Sequence, residues 1–152
     1  MKIAIGCDEA AYELKMEIIK HIEKRQDVEI VDFGSNRGEA ILYPDVGFAV
    51  AKAVADNKFD RGILLCGTGI GMAICANKVP GVRAAVCHDP YSTERSRKSN
   101  NAQIMCMGAR VIGPELAKYL VDIWLGSDFE GGRSAPKVDR IIELENEYKM
   151  GC

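Results

Sequence analysis

The chain has little with which to hold a metal: two histidines and no Cys-x-x-Cys pair in 152 residues. Neither a metal nor an organic cofactor is expected. Long apolar runs are also missing. Nothing approaches the ~20 residues of a membrane span, and the opening MKIAIGCDEA meets an acid too early for a signal peptide. Nor is one sign of charge in excess. Twenty basic against 22 acidic side chains leave a net charge of −2, which gives no general pull towards nucleic acid or an anionic membrane. No linker, repeat or low-complexity stretch divides the sequence, so a single cytoplasmic domain over 1–152 is expected, since domains usually run ~100–200 residues. Hydrophobic residues at 47% and charged residues at 28% are ordinary for a globule with a real core.

The six cysteines are Cys7, Cys66, Cys75, Cys87, Cys106 and Cys152. Five lie in or beside apolar segments, which suits reduced thiols; a disulfide scaffold is normally shorter, denser in Cys and secreted.

Short β-like runs alternate with helical runs. Strands are expected at 2–6, 28–33, 62–66, 82–87 and 103–107. Between them, Leu14, Ile18, Ile19 and Ile22 line one helix face, and Val46, Val50, Ala53 and Val54 line another after Pro44 and Asp45. A short helix is expected near Ile70, a polar one over about 91–100, and one over 114–125 carrying Leu116, Leu120 and Trp124 with Gly126 as its cap. A last amphipathic helix begins near Pro136, with Val138, Ile141, Ile142 and Leu144 on its apolar side; it either packs on its own domain or docks on a second subunit. Alternation of this kind predicts an α/β fold, a five-stranded parallel sheet between two helical layers with an extra C-terminal helix. Ligands bind such sheets at the carboxyl ends of the strands.

The strongest motif stands at such an end: Cys66-Gly67-Thr68-Gly69-Ile70-Gly71. Three glycines in five residues let the backbone turn tightly and aim several N–H groups at one point, which suits an anion. A P-loop would end Gly-Lys-Ser/Thr, but Gly71 is followed by Met72 and Ala73; a dinucleotide loop would follow the first strand as G-x-G-x-x-G. No arginine follows Cys66 before Lys78, as a thiol phosphatase would need. The loop therefore suits a transient oxyanion. At a helix start the sulfur of Cys66 is favoured as a thiolate. A thiolate beside an oxyanion pocket can remove a proton α to a carbonyl. The other four internal cysteines read as core.

Arg133 and Lys137 stand four apart at a helix start and could grip a phosphate together, or form a solvated basic pair. Arg110, after the fifth strand, is a third cation. Asp8 and Glu9 follow the first strand; acids there hold sugar hydroxyls, or Asp8 caps the next helix. Tyr43 can stack on a sugar or sit half-buried before Pro44. His21 reads as surface, and His88 is an acid/base candidate after the fourth strand.

Taken in order, G-C-D, C-G-T-G-I-G, A-N-K-V-P-G-V-R-A, S-N-N-A, G-A-R-V-I-G and E-G-G-R resemble the type B ribose-5-phosphate isomerases and the related galactose- and allose-6-phosphate isomerases, over about 6–140. The resemblance implies a Rossmann-like α/β/α fold, a homodimer or tetramer, no metal, and aldose–ketose isomerisation through an enediolate. It makes Cys66 the proton-shuttling base, Gly67, Gly69, Ile70 and Gly71 the enediolate pocket, and Thr68 an extra donor. Asp8, Glu9 and Tyr43 would meet the sugar. Ser99, Asn100, Arg110, Arg133 and Lys137 would hold the substrate and its phosphate, some across the dimer.

Three positions depart from the family pattern. Glu9 stands where histidine is usual, Lys137 where arginine is frequent, and Ser99 where the family has a histidine credited with opening the sugar ring. Serine is a poor proton shuttle near neutral pH. A tetrose 4-phosphate cannot close the furanose ring, so Ser99 fits an open-chain substrate such as erythrose 4-phosphate or erythrulose 4-phosphate; ribose 5-phosphate remains the family's usual substrate. Outside the isomerases, a sugar-phosphate-binding subunit and a thiol enzyme stay open.

Overall fold

A computed structural model of the chain describes residues 1–150; Cys152, counted above among the thiols, lies outside them. The strands are β1 (Lys2–Cys7), β2 (Glu29–Asp32), β3 (Arg61–Cys66), β4 (Ala84–Val86) and β5 (Ile104–Gly108). The helices are α1 (Tyr12–Ile22), α2 (Tyr43–Ala55), α3 (Ile70–Ala76), α4 (Pro90–Lys98), α5 (Pro114–Leu125) and α6 (Ala135–Met150), with 3-10 turns at Glu9–Ala11 and Gly132–Ser134. Every strand pairing is parallel, in the order β2-β1-β3-β5-β4. The expected α/β/α architecture is present. No described helix is long and apolar enough to cross a membrane.

Past Lys2 and Arg61 at their starts, β1, β3 and β5 are apolar because both faces are covered. α1 and α5 pack Leu14, Ile18, Ile22, Leu120 and Trp124 against one face. α2 and α3 pack Val46, Val50, Val54 and Met72 against the other. β4 is shorter than its sequence suggests. It lies at the sheet edge, and the Arg83 N–H goes to the Gln103 side chain at 2.8 Å.

One helix face differs from expectation. Leu116 is 38% exposed, and the buried stripe of α5 is Ala117, Leu120, Val121, Trp124 and Leu125. Steps of four drift by about 40° each at 3.6 residues per turn, so Leu116 lies well round the helix from Trp124. On α6 only Val138 is buried; Ile141, Ile142 and Leu144 face outwards. Gly126 does cap α5, donating its N–H to the Asp122 carbonyl at 3.0 Å. His21 is not a free surface group: its Nε2 lies 2.8 Å from Asp122 Oδ1, joining α1 to α5.

Lys15 is fully buried, and its ammonium donates to both Asp32 oxygens at 2.8 and 2.7 Å and to the Ser35 carbonyl at 2.7 Å. It ties α1 to the end of β2. Lys15→Met should destabilise the fold by about 3 kcal/mol, the low end for breaking a buried pair, because Asp32 keeps partial access to water; urea denaturation measures the difference.

Candidate active site

Three residues, Gly67 to Gly69, carry the chain from the end of β3 into α3. Gly69 has φ +78°, and a Cβ there would lie 2.9 Å from the Met107 carbonyl carbon. Only glycine meets both demands. The turn aims the Gly69 N–H at Cys66 Sγ, 3.1 Å away. Cys66 is 6% exposed, so the sulfur sits at the floor of the loop. With seven residues in α3, it is this one amide, more than the short helix as a whole, that serves the sulfur.

The expected residues around it divide into two groups. The first lies at the carboxyl edge of the sheet with Cys66. Thr68 Oγ1 accepts the Ile70 N–H at 3.3 Å, which leaves its own O–H to point elsewhere. The Arg110 side chain lies over Gly67, and the Arg110 N–H donates to the Gly67 carbonyl at 3.0 Å. The Tyr43 ring covers Gly71: a Cβ on Gly71 would stand 2.8 Å from Tyr43 Cζ. Asp8 caps the first 3-10 turn through the Ala10 N–H at 3.0 Å, the second of the two tasks its position suggested. Burial pushes its carboxyl above the ordinary range, while the Ala10 amide and the Arg110 charge pull it down. Glu9 is exposed beside it.

The second group lies at the opposite edge. Ser99 and Asn100 follow α4 and precede β5, and α5 returns the chain to the same edge before Arg133 and Lys137. The Glu130 N–H donates to the Lys98 carbonyl at 3.1 Å and fastens that return to α4. β5 is five residues long, so roughly 16 Å of strand separates the two edges at ~3.3 Å per residue. One chain does not bring Ser99, Asn100, Arg133 and Lys137 to its own Cys66.

Charge marks out the cations. Every other arginine holds a carboxylate or a backbone carbonyl. Among the described residues, the side chains of Arg110, Arg133 and Lys137 hold none. Unneutralised guanidinium groups suit a phosphate. A cleft of about 600 Å³ beside β2 involves none of these residues; it is lined by Asp32, Ser35, Asn36 and Glu39 among others. Its polar groups already satisfy one another, since Glu39 accepts from Asn36 and Lys15 holds Asp32.

The other thiols behave as core. Burial pushes Cys7, Cys75, Cys87 and Cys106 up, although Cys75 is only half-buried and donates to the Pro44 carbonyl. Arg95 was overlooked in the sequence. Its Nη1 reaches Ser99 Oγ at 3.4 Å, and its carbonyl accepts from Asn100 Nδ2 at 3.1 Å. The four-residue step from Arg95 to Ser99 along a helix was the available signal.

The model of a family described as Ribose/Galactose Isomerase matches residues 3–141. The chain is 58% identical to the ribose-5-P isomerase B of Listeria innocua over 149 residues, covering 98% of this chain and 100% of that one. It is 53% identical to the D-erythrulose-4-phosphate isomerase of Pectobacterium atrosepticum over 150 residues, 98% of each. Its fold is similar to that of the Clostridium thermocellum ribose-5-phosphate isomerase B, with a TM-score of 0.93 at 49% identity, covering 97% of this chain and 99% of that one.

Gly71→Ala should displace the half-exposed Tyr43 ring with little loss of stability, within about 0.5 kcal/mol for a surface adjustment. KM for the sugar phosphate should rise several-fold; steady-state kinetics and a melting curve check the pair.

Proposed function

Because the chain belongs to the ribose/galactose isomerase family, we propose that it interconverts an aldose and a ketose phosphate through an enediolate, with Cys66 carrying the proton. The observation that supports this most directly is the Gly69 N–H donated to Cys66 Sγ at 3.1 Å, at the ligand-binding edge of the sheet. The thiolate takes the proton from C2 of the aldose. The electron pair moves into the C1–C2 bond and charge collects on the carbonyl oxygen. Loop amides and the Thr68 hydroxyl receive that charge, the proton on O2 passes to O1, and the proton held by Cys66 returns at C1. Asp8, Glu9 and Tyr43 meet the sugar hydroxyls.

The phosphate falls to Arg110, Arg133 and Lys137. The last two stand at the far edge of the sheet, as do Ser99 and Asn100. A site that uses both groups is assembled from two copies of the chain, each contributing one edge to its neighbour. The exposed apolar residues of α6 are available to hold such a homodimer together, with a tetramer as a higher assembly. Free thiols suit a reducing cytoplasm.

The first substrate is ribose 5-phosphate, which gives ribulose 5-phosphate. A tetrose 4-phosphate is the second reading, and one observation favours it. Ser99 Oγ accepts from Arg95, so the position expected to open a sugar ring holds a fixed hydroxyl and no group that titrates near neutrality. An open-chain substrate needs no ring opening.

Initial rates on ribose 5-phosphate and erythrulose 4-phosphate rank the two; a large preference for ribose 5-phosphate would end the tetrose reading. With the preferred sugar, Cys66→Ala should lower kcat by about 10²–10⁴-fold, the usual contribution of a general base, and leave KM within a few-fold. Unchanged turnover would remove Cys66 as the base.

A further inference from the structure

β4 ends at Val86, but its neighbour β5 runs on to Gly108, whose register partner across the other side is Cys66. The last β4-side backbone bond is the Cys87 N–H to the Cys106 carbonyl at 2.9 Å. Two residues further along β5, a side chain takes over. The Gly108 N–H donates to His88 Nε2 at 2.8 Å. An amide N–H can only donate, so Nε2 carries the lone pair and the ring proton sits on Nδ1.

Gly108 is the seat of the Cys66 loop. A Cβ on it would lie 2.6 Å from Thr68 Cα and 2.8 Å from the Thr68 carbonyl oxygen. The next two amides are tied to the loop itself: Ala109 N–H to the Cys66 carbonyl at 2.9 Å, and Arg110 N–H to the Gly67 carbonyl at 3.0 Å. Three consecutive amides thus fix the end of β5, and the first of them is held by an imidazole.

We propose that His88 is a positioning residue of the isomerase: by accepting the Gly108 N–H, its neutral ring sets the seat on which Thr68 rests and, through Ala109 and Arg110, the placement of the Cys66 loop and of the Arg110 cation. The inference rests on the reading of that loop as the reaction site. It also assigns His88 a task other than acid/base work, because the nitrogen that would take a proton is occupied. Protonation turns Nε2 into a donor facing a donor, and the bond is lost. Burial pushes the His88 pKa below the ordinary histidine value, and the Asp89 carboxylate opposes this. Asp89 itself caps α4 through the Ser92 N–H. On β5 the ring meets Gly108 between the uncharged Met107 and Ala109, with the Cys66 thiol one strand beyond. The neutral ring, and the geometry it holds, is therefore fully present above the unfolded histidine pKa and is lost as pH falls through the lower folded value.

The test compares kcat against pH for wild type, His88→Leu and His88→Gln, alongside ¹H–¹⁵N spectra that follow the Gly108 amide. His88→Leu removes the acceptor and should lower kcat by roughly ten- to a hundredfold at neutral pH, the scale of a small misplacement. His88→Gln supplies an amide oxygen in its place. It should recover most of that loss and lack the acid-side decline that wild type shows. In wild type the Gly108 amide signal should move with the same midpoint as that decline. An unchanged kcat in His88→Leu, an acid limb retained in His88→Gln, or a Gly108 amide silent to pH in an active wild type would each overturn the proposal alone. A wild type inactive on every sugar phosphate, with no exchange of substrate hydrogen, would contradict the isomerase reading as well.

Discussion

At the end of β3 the chain must leave a strand buried on both faces and enter a helix within three residues, while the end of β5 presses against the turn. Gly69 at φ +78° and Gly108 against Thr68 are the two places where a side chain would not fit. That steric constraint fixes the Gly69 N–H on Cys66 Sγ. A sulfur at the floor of such a turn is held in one orientation by an amide, next to further amides free to meet an anion. Burial alone does not produce this: Cys7, Cys87 and Cys106 are as deeply placed, and burial simply pushes their thiols up.

The same sheet that positions the sulfur separates it from four of the residues proposed to serve it. Parallel strands gather Asp8, Tyr43, Thr68 and Arg110 at one edge and leave Ser99, Asn100, Arg133 and Lys137 at the other. Exposed cations without counter-ions stand at both edges, Arg110 at one and Arg133 and Lys137 at the other, where they are free to hold an anion. The dimer proposed above would resolve both facts at once, and it would give an occupation to Ile141, Ile142 and Leu144 of α6, which its own domain leaves exposed.

Much of this was legible in the sequence, for identifiable reasons. Helical and strand periods differ, so the alternation of elements could be read from Leu14, Ile18 and Ile22 or from GILLC without knowing any contact. The glycine spacing after Cys66 announced the loop. Strand order did not follow, because no local pattern tells β4 to take the edge outside β5. The stripe through Leu116 failed because four-residue steps drift around a helix. Arg110 could be placed at the right edge from topology, and Arg133 with Lys137 could be named as a phosphate pair from their spacing, whereas Ser99 could be named only through resemblance; nothing local says which subunit any of them serves. His88 carried no signal at all for its role: its partner is a backbone N–H twenty residues away, invisible as a residue type. Its acid/base candidacy came from position alone, and the hydrogen bond reassigns it.

In the proposed reaction a proton leaves substrate carbon, rests on Cys66 and returns to the neighbouring carbon. Conversion of the preferred sugar phosphate in deuterium oxide, with the product analysed by mass and NMR, tests this directly. Solvent deuterium incorporated at the C1–C2 unit, in wild type and not in a chain lacking the Cys66 sulfur, is the predicted result. Turnover with the substrate hydrogen carried across intact and no solvent label, equally in both proteins, would contradict it.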